Sequence, residues 1–232
     1  MYFDWTYIIM VLPMVLLSLW ASANVKSTFA KYSKVDNSRR ITAADAVRRV
    51  LNANGLYDVG IETVEGELTD HFDPSRNVIC LSEGVAGSCS AAAVGVACHE
   101  AGHAVQHAEN YLPARVRTAI VPVTNFGSKL SMPLIFIGLL LASFSDIFIY
   151  IAYIGVACYG LCAVFQLITL PTEFDASRRA MSTIEGLDIL NAEEQTGARK
   201  VLRAAALTYV AALAVTLMQL LRFLIIIAGR RD

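Results

Sequence analysis

The stretch Ile147–Leu170, IFIYIAYIGVACYGLCAVFQLITL, runs for 24 residues without one charged side chain. A helix of that length rises roughly 36 Å at about 1.5 Å per residue, enough to cross the roughly 30 Å hydrocarbon layer of a bilayer. No water reaches the backbone inside that layer, so the amides must bond within the segment and a helix is the expected form. Directly after it stands Pro171-Thr172-Glu173-Phe174-Asp175-Ala176-Ser177. The charge returns there, which predicts a crossing over 147–170 and a chain emerging from the apolar layer at Pro171.

Outward from this block the same contrast repeats. Residues 5–25 form a first apolar run with Trp5, Tyr7 and Trp20 near its ends, where amphipathic rings favour the interface. No basic residue precedes it and Lys26, Lys31, Lys34, Arg39 and Arg40 follow, which reads as a retained anchor rather than a cleaved signal. A weaker block, interrupted by Lys129, gives a crossing at 127–145, and 204–228 gives the last one, with Arg222 inside it snorkelling or facing a protein partner. The polar stretches 26–118 and 171–203 lie between. The expected fold is therefore a mostly α membrane protein with about four transmembrane helices plus a small α+β domain built from the polar stretches. Most Lys and Arg lie in the two polar stretches and none near the link at Asp146, so both stretches are expected in the cytoplasm. The tail Gly229-Arg230-Arg231-Asp232 would then lie outside, against the charge rule.

Composition agrees: 56% of residues are hydrophobic, 17% are charged and the mean hydropathy is +0.52. A net charge of −1 supplies no basic field for nucleic acid. Five cysteines without paired spacing suggest buried thiols rather than a disulfide framework. No phosphate-binding loop signature is present.

Within 26–118, Thr42-Ala43-Ala44-Asp45 opens a helix to about Asn54, with Gly55 as its stop. Strands are expected at Val59–Thr63, Glu67–Phe72 and Asn77–Ser82, the last two joined by the turn Asp73-Pro74-Ser75-Arg76. The Asn77–Ser82 strand is expected to offer an open edge to an extended substrate. From Ser90 to about Glu109 small residues dominate and no strong breaker appears, which predicts a closely packed helix.

That helix carries His99-Glu100-Ala101-Gly102-His103. Histidines at i and i+4 share a helical face and can hold one divalent metal, here Zn²⁺, while Glu100 can act as general base on a water. A third ligand is needed. Metzincin spacing would require glycine and histidine where Gln106 and Glu109 stand, so that class is excluded. Asp188 lies in a polar segment without the motif context of intramembrane proteases. Glu173 is the best third ligand: two crossings separate it from His103, so both return to one side. Asp175 competes with it within the same segment. His107, Ser177, Asp175 and His71 are candidates for supporting the ligands or binding substrate.

HEAGHAVQH (His99 to His107), HFDPSRNVICLSEGV (His71 to Val85) and LPTEFDASRRAM (Leu170 to Met181) together resemble the YugP-type neutral zinc metallopeptidases of bacterial membranes. The resemblance covers nearly the whole chain and implies a zinc-binding membrane protein with a glutamate third ligand, gluzincin-like. A more distant similarity is to HtpX-like and CAAX prenyl proteases, whose ExxAD motif is matched here up to Ala176, with Ser177 in place of the aspartate. The expected activity is that of a membrane-embedded zinc endopeptidase, located in the bacterial cell membrane, acting on peptide or protein substrates. Membrane-protein partners or a homo-oligomer are compatible with the small residues of the later apolar blocks. An inactive zinc-binding scaffold, an intramembrane site-2-type protease and a metal transporter are the alternatives.

Overall fold

A computed structural model describes residues 5–229. The chain is mostly helical, with one short sheet. A π-helical turn, Tyr7–Val11, leads into α1 (Leu12–Tyr32), followed by α2 (Ala43–Ala53), β1 (Gly60–Val64), β2 (His71–Asp73), β3 (Val78–Ser82), α3 (Glu83–Ala86), α4 (Ala91–Ala108), α5 (Leu112–Leu141), α6 (Phe148–Gly186) and α7 (Ala192–Ala228). Four of the helices are long and apolar enough to cross a membrane: Tyr7–Tyr32, Leu112–Leu141, Phe148–Gly186 and Ala192–Ala228. The tail 230–232 lies outside the described residues.

Two compact units divide the chain: Met1–Ala21, Val116–Leu170 and Thr208–Asp232 form one, Ser22–Arg115 and Pro171–Leu207 the other. The first unit is built from the apolar helical stretches. Ile135, Ile149, Ala152, Val156, Phe223 and Ile227 form its buried cluster. A Cβ added to Gly138 would lie 2.4 Å from the Ala152 nitrogen, so the absence of a side chain there lets α5 and α6 pack backbone to backbone. Large apolar side chains such as Leu16, Phe126, Phe136 and Ile154 face outward, the distribution expected where lipid replaces water. Arg222 sits with its guanidinium over the rings of Tyr7 (5.3 Å) and Phe223 (5.8 Å), so aromatic faces within this unit partner it.

The second unit holds the sheet and the His99–His103 segment of α4. Thr42 caps α2, its hydroxyl accepting from the Asp45 amide at 3.1 Å. Val47, Val50 and Leu51 of α2 pack with Ile79 and Leu81 of β3, Val94 and Ala97 of α4, and Ile184, Ala198 and Leu202 of the α6 and α7 extensions. Strand β2 is shorter than Glu67–Phe72, because Gly66 (φ +107°) and Leu68 (φ +53°) hold left-handed backbone and keep the segment out of extended form. The sheet order is β1-β3-β2, with β1 parallel and β2 antiparallel to β3. Strand β3 is thus central and fully buried, which corrects the expected open edge at Asn77–Ser82. The edges belong to β1 and β2.

Helix boundaries also differ from the hydropathy reading. Helix α5 starts at Leu112 and ends at Leu141, ahead of the expected 127–145, and runs through Pro122 and Pro133. Helix α6 continues through Pro171 to Gly186. Ala176, Ala180 and Ile184 are fully buried in the second unit, and that packing sustains the helix past the proline.

Candidate metal centre

Helix α4 places its histidines by spacing alone. The rings of His99 and His103 lie edge to face, 4.7 Å between centroids at 83°. Glu173 reaches them from the polar extension of α6. Its Oε2 lies 3.2 Å from His99 Nε2 and 3.6 Å from His103 Nε2. Three donor atoms, one from each residue, fall within 4.8 Å of one another.

These distances can be tested against a metal. Ligands about 2.0–2.1 Å from a tetrahedral zinc stand roughly 3.3 Å apart along each edge. The two His–Glu separations match that edge, and both imidazoles turn Nε2 toward the same carboxylate oxygen. The donor set of two nitrogens and one oxygen also suits zinc with a fourth position open. The residues present therefore fit the metal.

The opposite ring nitrogens are held. Ser177 Oγ stands 3.0 Å from His99 Nδ1, and Gln106 Oε1 stands 3.0 Å from His103 Nδ1. The Gln106 amide donates to the Thr172 carbonyl (2.8 Å) and to Asp175 Oδ2 (2.9 Å). Those two acceptors leave Oε1 as the atom facing His103, so neutral His103 carries its proton on Nδ1 and keeps the Nε2 lone pair free. Gln106 is fully buried. Its part was missed in the sequence; the available signal was a polar residue three positions after His103 in a helix otherwise packed with small residues.

Close approach of the two helices depends on Gly102. A Cβ there would lie 2.5 Å from the Ala176 carbonyl oxygen. Ala176 and Ser177 follow Glu173 by three and four residues, so the turn that packs against α4 also presents the carboxylate and the hydroxyl.

Glu100 is buried beside this set, and its Oε2 accepts from the Phe72 amide at 3.1 Å. Burial pushes its pKa above the ordinary carboxylate value, while the nearby His99 and His103 pull it back. Burial opposes protonation of His103, but the hydrogen bond to Glu173 and the charge of Glu100 outweigh it and raise that pKa.

The remaining candidates fall elsewhere. His107 is exposed, its ring 5.8 Å from that of Phe72, and does not join the donor set. His71 is exposed on β2 with Nδ1 2.8 Å from the Thr69 carbonyl. It is the backbone of its neighbour, Phe72, that meets Glu100. Asp175 accepts from Gln106, Arg178 and Arg179 instead of facing the imidazoles. Five free cysteines are present, with Cys80 and Cys98 buried.

A family model described as "Putative neutral zinc metallopeptidase" matches residues 7–228. The chain is 49% identical over 217 residues to the "Putative membrane protease YugP" of Bacillus subtilis (strain 168), covering 93% of this chain and 94% of that protein. No solved structure matches the chain.

Proposed function

We propose, since the chain belongs to the putative neutral zinc metallopeptidase family, that it is a membrane-anchored zinc endopeptidase whose His99, His103 and Glu173 hold the metal and whose Glu100 moves the proton. The observation that carries this reading is the convergence of His99 Nε2, His103 Nε2 and a Glu173 oxygen from two separate helices, with a buried carboxylate alongside. Zinc bound there would acidify a water and polarise a peptide carbonyl.

Glu100 accepts a proton from the attacking water at its carboxylate and returns it to the leaving amine nitrogen. A pKa raised by burial suits a group that must both take and release a proton near neutrality. The Phe72 amide fixes the carboxylate. Ser177 and Gln106 hold the two imidazoles in register, and Ser177 thereby fills the place that aspartate takes in the ExxAD pattern. Strand β2, the sheet edge whose backbone meets Glu100, is where an extended peptide would pair. The cation-rich stretches 26–118 and 171–203 favour a cytoplasmic site in a bacterial cell membrane.

The test uses purified full-length protein in three forms. Wild type and Glu100→Gln are expected to carry about one zinc per chain, as the three converging ligands make one site, and His103→Ala to carry none. Only wild type should cleave an unstructured polypeptide. Unchanged proteolysis in Glu100→Gln refutes the proton role, and zinc-free wild type refutes the metal site.

A further inference from the structure

A second feature of the Ser22–Arg115 and Pro171–Leu207 unit lies between α1 and α7. Asn24, Thr28, Lys31 and Tyr32 of α1 and Lys200, Arg203, Ala204 and Leu207 of α7 line an open cleft of about 380 Å³. That volume falls within the roughly 300–1,000 Å³ of small-ligand sites. Three cations line it and no carboxylate does. Acids elsewhere neutralise Arg39, Arg178, Arg179 and Arg199, but among the described residues no ion pair is formed by Lys31, Lys200 or Arg203.

The cations are arranged around one aromatic ring. The Nζ atoms of Lys31 and Lys200 lie 5.5 and 5.8 Å from the Tyr32 ring centroid. That ring is seated against α7 at Gly197, where a Cβ would come within 2.7 Å of it. The glycine thus brings the two helices together and the ring holds both ammonium groups at the cleft.

The position of the cleft in the sequence decides its ligand. In α1 the apolar run 5–25 gives way to Lys26 and Lys31, and in α7 Lys200 and Arg203 give way to the apolar run 204–228. Lining residues straddle both transitions: polar and cationic groups on one side, Ala204 and Leu207 on the other. Headgroups occupy that level of a bilayer. We propose that this cleft binds the phosphodiester of an anionic phospholipid, with Lys31, Lys200 and Arg203 on the phosphate and the acyl chains left in the bilayer. The site is separate from the metal centre and holds whether or not the peptidase reading does.

Full-length protein purified in a neutral detergent tests it by native mass spectrometry, with phosphatidylglycerol, phosphatidylcholine and glycerol phosphate as probes. Each cation near an anionic headgroup strengthens binding about fivefold, so Lys31→Gln with Lys200→Gln and Arg203→Gln should bind phosphatidylglycerol on the order of a hundredfold more weakly than wild type. Phosphatidylcholine, whose choline offsets the charge of the same phosphodiester, should bind wild type more weakly than phosphatidylglycerol and lose less in the triple variant. Lys129→Gln, a cation outside the cleft, should leave phosphatidylglycerol binding unchanged. Should the triple variant fail to elute as a folded species, Lys200→Gln and Arg203→Gln singly should each lose about fivefold. Equal wild-type binding of the two lipids overturns the proposal, as do undiminished binding in the cleft variants and an equal loss in Lys129→Gln. Glycerol phosphate competing as well as the lipid would assign the cleft to a soluble phosphate and overturn it too.

Discussion

Replacing Gly102 with alanine should loosen the metal site while sparing the fold. The added Cβ would lie 2.5, 3.1 and 3.2 Å from the oxygen, carbon and Cα of Ala176. All three atoms are backbone, so no rotamer change relieves the contact. Restoring an ordinary carbon–oxygen separation of about 3.3 Å requires the helices to part by roughly 0.8 Å. Overpacking of this kind costs about 1–3 kcal/mol, and alanine returns up to about 1 kcal/mol as the better helix former. Net destabilisation is therefore small. Glu173 lies one turn before Ala176 and moves with it, stretching His–Glu separations of 3.2 and 3.6 Å to about 4 Å, beyond the roughly 3.3 Å edge of a zinc tetrahedron. Zinc affinity, read by competition with a coloured chelator, should fall at least about tenfold, with unchanged circular dichroism. Gly84→Ala is the control, since a Cβ there meets nothing within 4 Å. Wild-type zinc affinity in Gly102→Ala would refute the argument that this approach sets the tripod.

Three further outcomes follow from the same site. Gln106→Ala should weaken zinc about 10–100-fold in the chelator assay by freeing the His103 ring; Ser177→Ala should do likewise at His99, and Ser177→Asp, which keeps an acceptor there, should not. Zinc uptake by metal-free protein should weaken as pH falls: the His103 pKa is raised, so the proton competes for Nε2 from above the ordinary histidine value downward, and titrations across pH 8 to about 5.5 that show constant affinity would contradict it. Burial pushes the Cys98 thiol up to about 12, so an alkylating reagent at a pH of about 8 should modify Cys98 only after denaturation, whereas equal labelling in native protein would mean that the α4 core is open.

Much of this architecture can be read in the primary structure, for identifiable reasons. His99, Glu100 and His103 are fixed by local helical geometry, and Thr42 by a local cap, so spacing suffices. Glu173 was singled out because two expected crossings return it to the side of His103, and its carboxylate meets both imidazoles. Hydropathy measures the solvent a side chain prefers rather than the conformation of the backbone, so it marks an apolar stretch within α5 but not the helix's start at Leu112, and could not foresee α6 continuing through Pro171. Strand order was hidden because the parallel pairing of β1 with β3 skips over β2, and no turn sequence encodes it. Gln106 was hidden because its role depends on Thr172 and Asp175, 66 and 69 residues away.

The tripod draws its parts from both sides of a long insert. His99 and His103 are synthesised first, and Glu173 follows only after all of α5 and the apolar part of α6. A nascent chain, or one threaded with an uneven number of passes, therefore owns two imidazoles and no closing carboxylate. Under the proposed peptidase reading, hydrolytic capability is withheld from the growing polypeptide until the hairpin between its halves is in place.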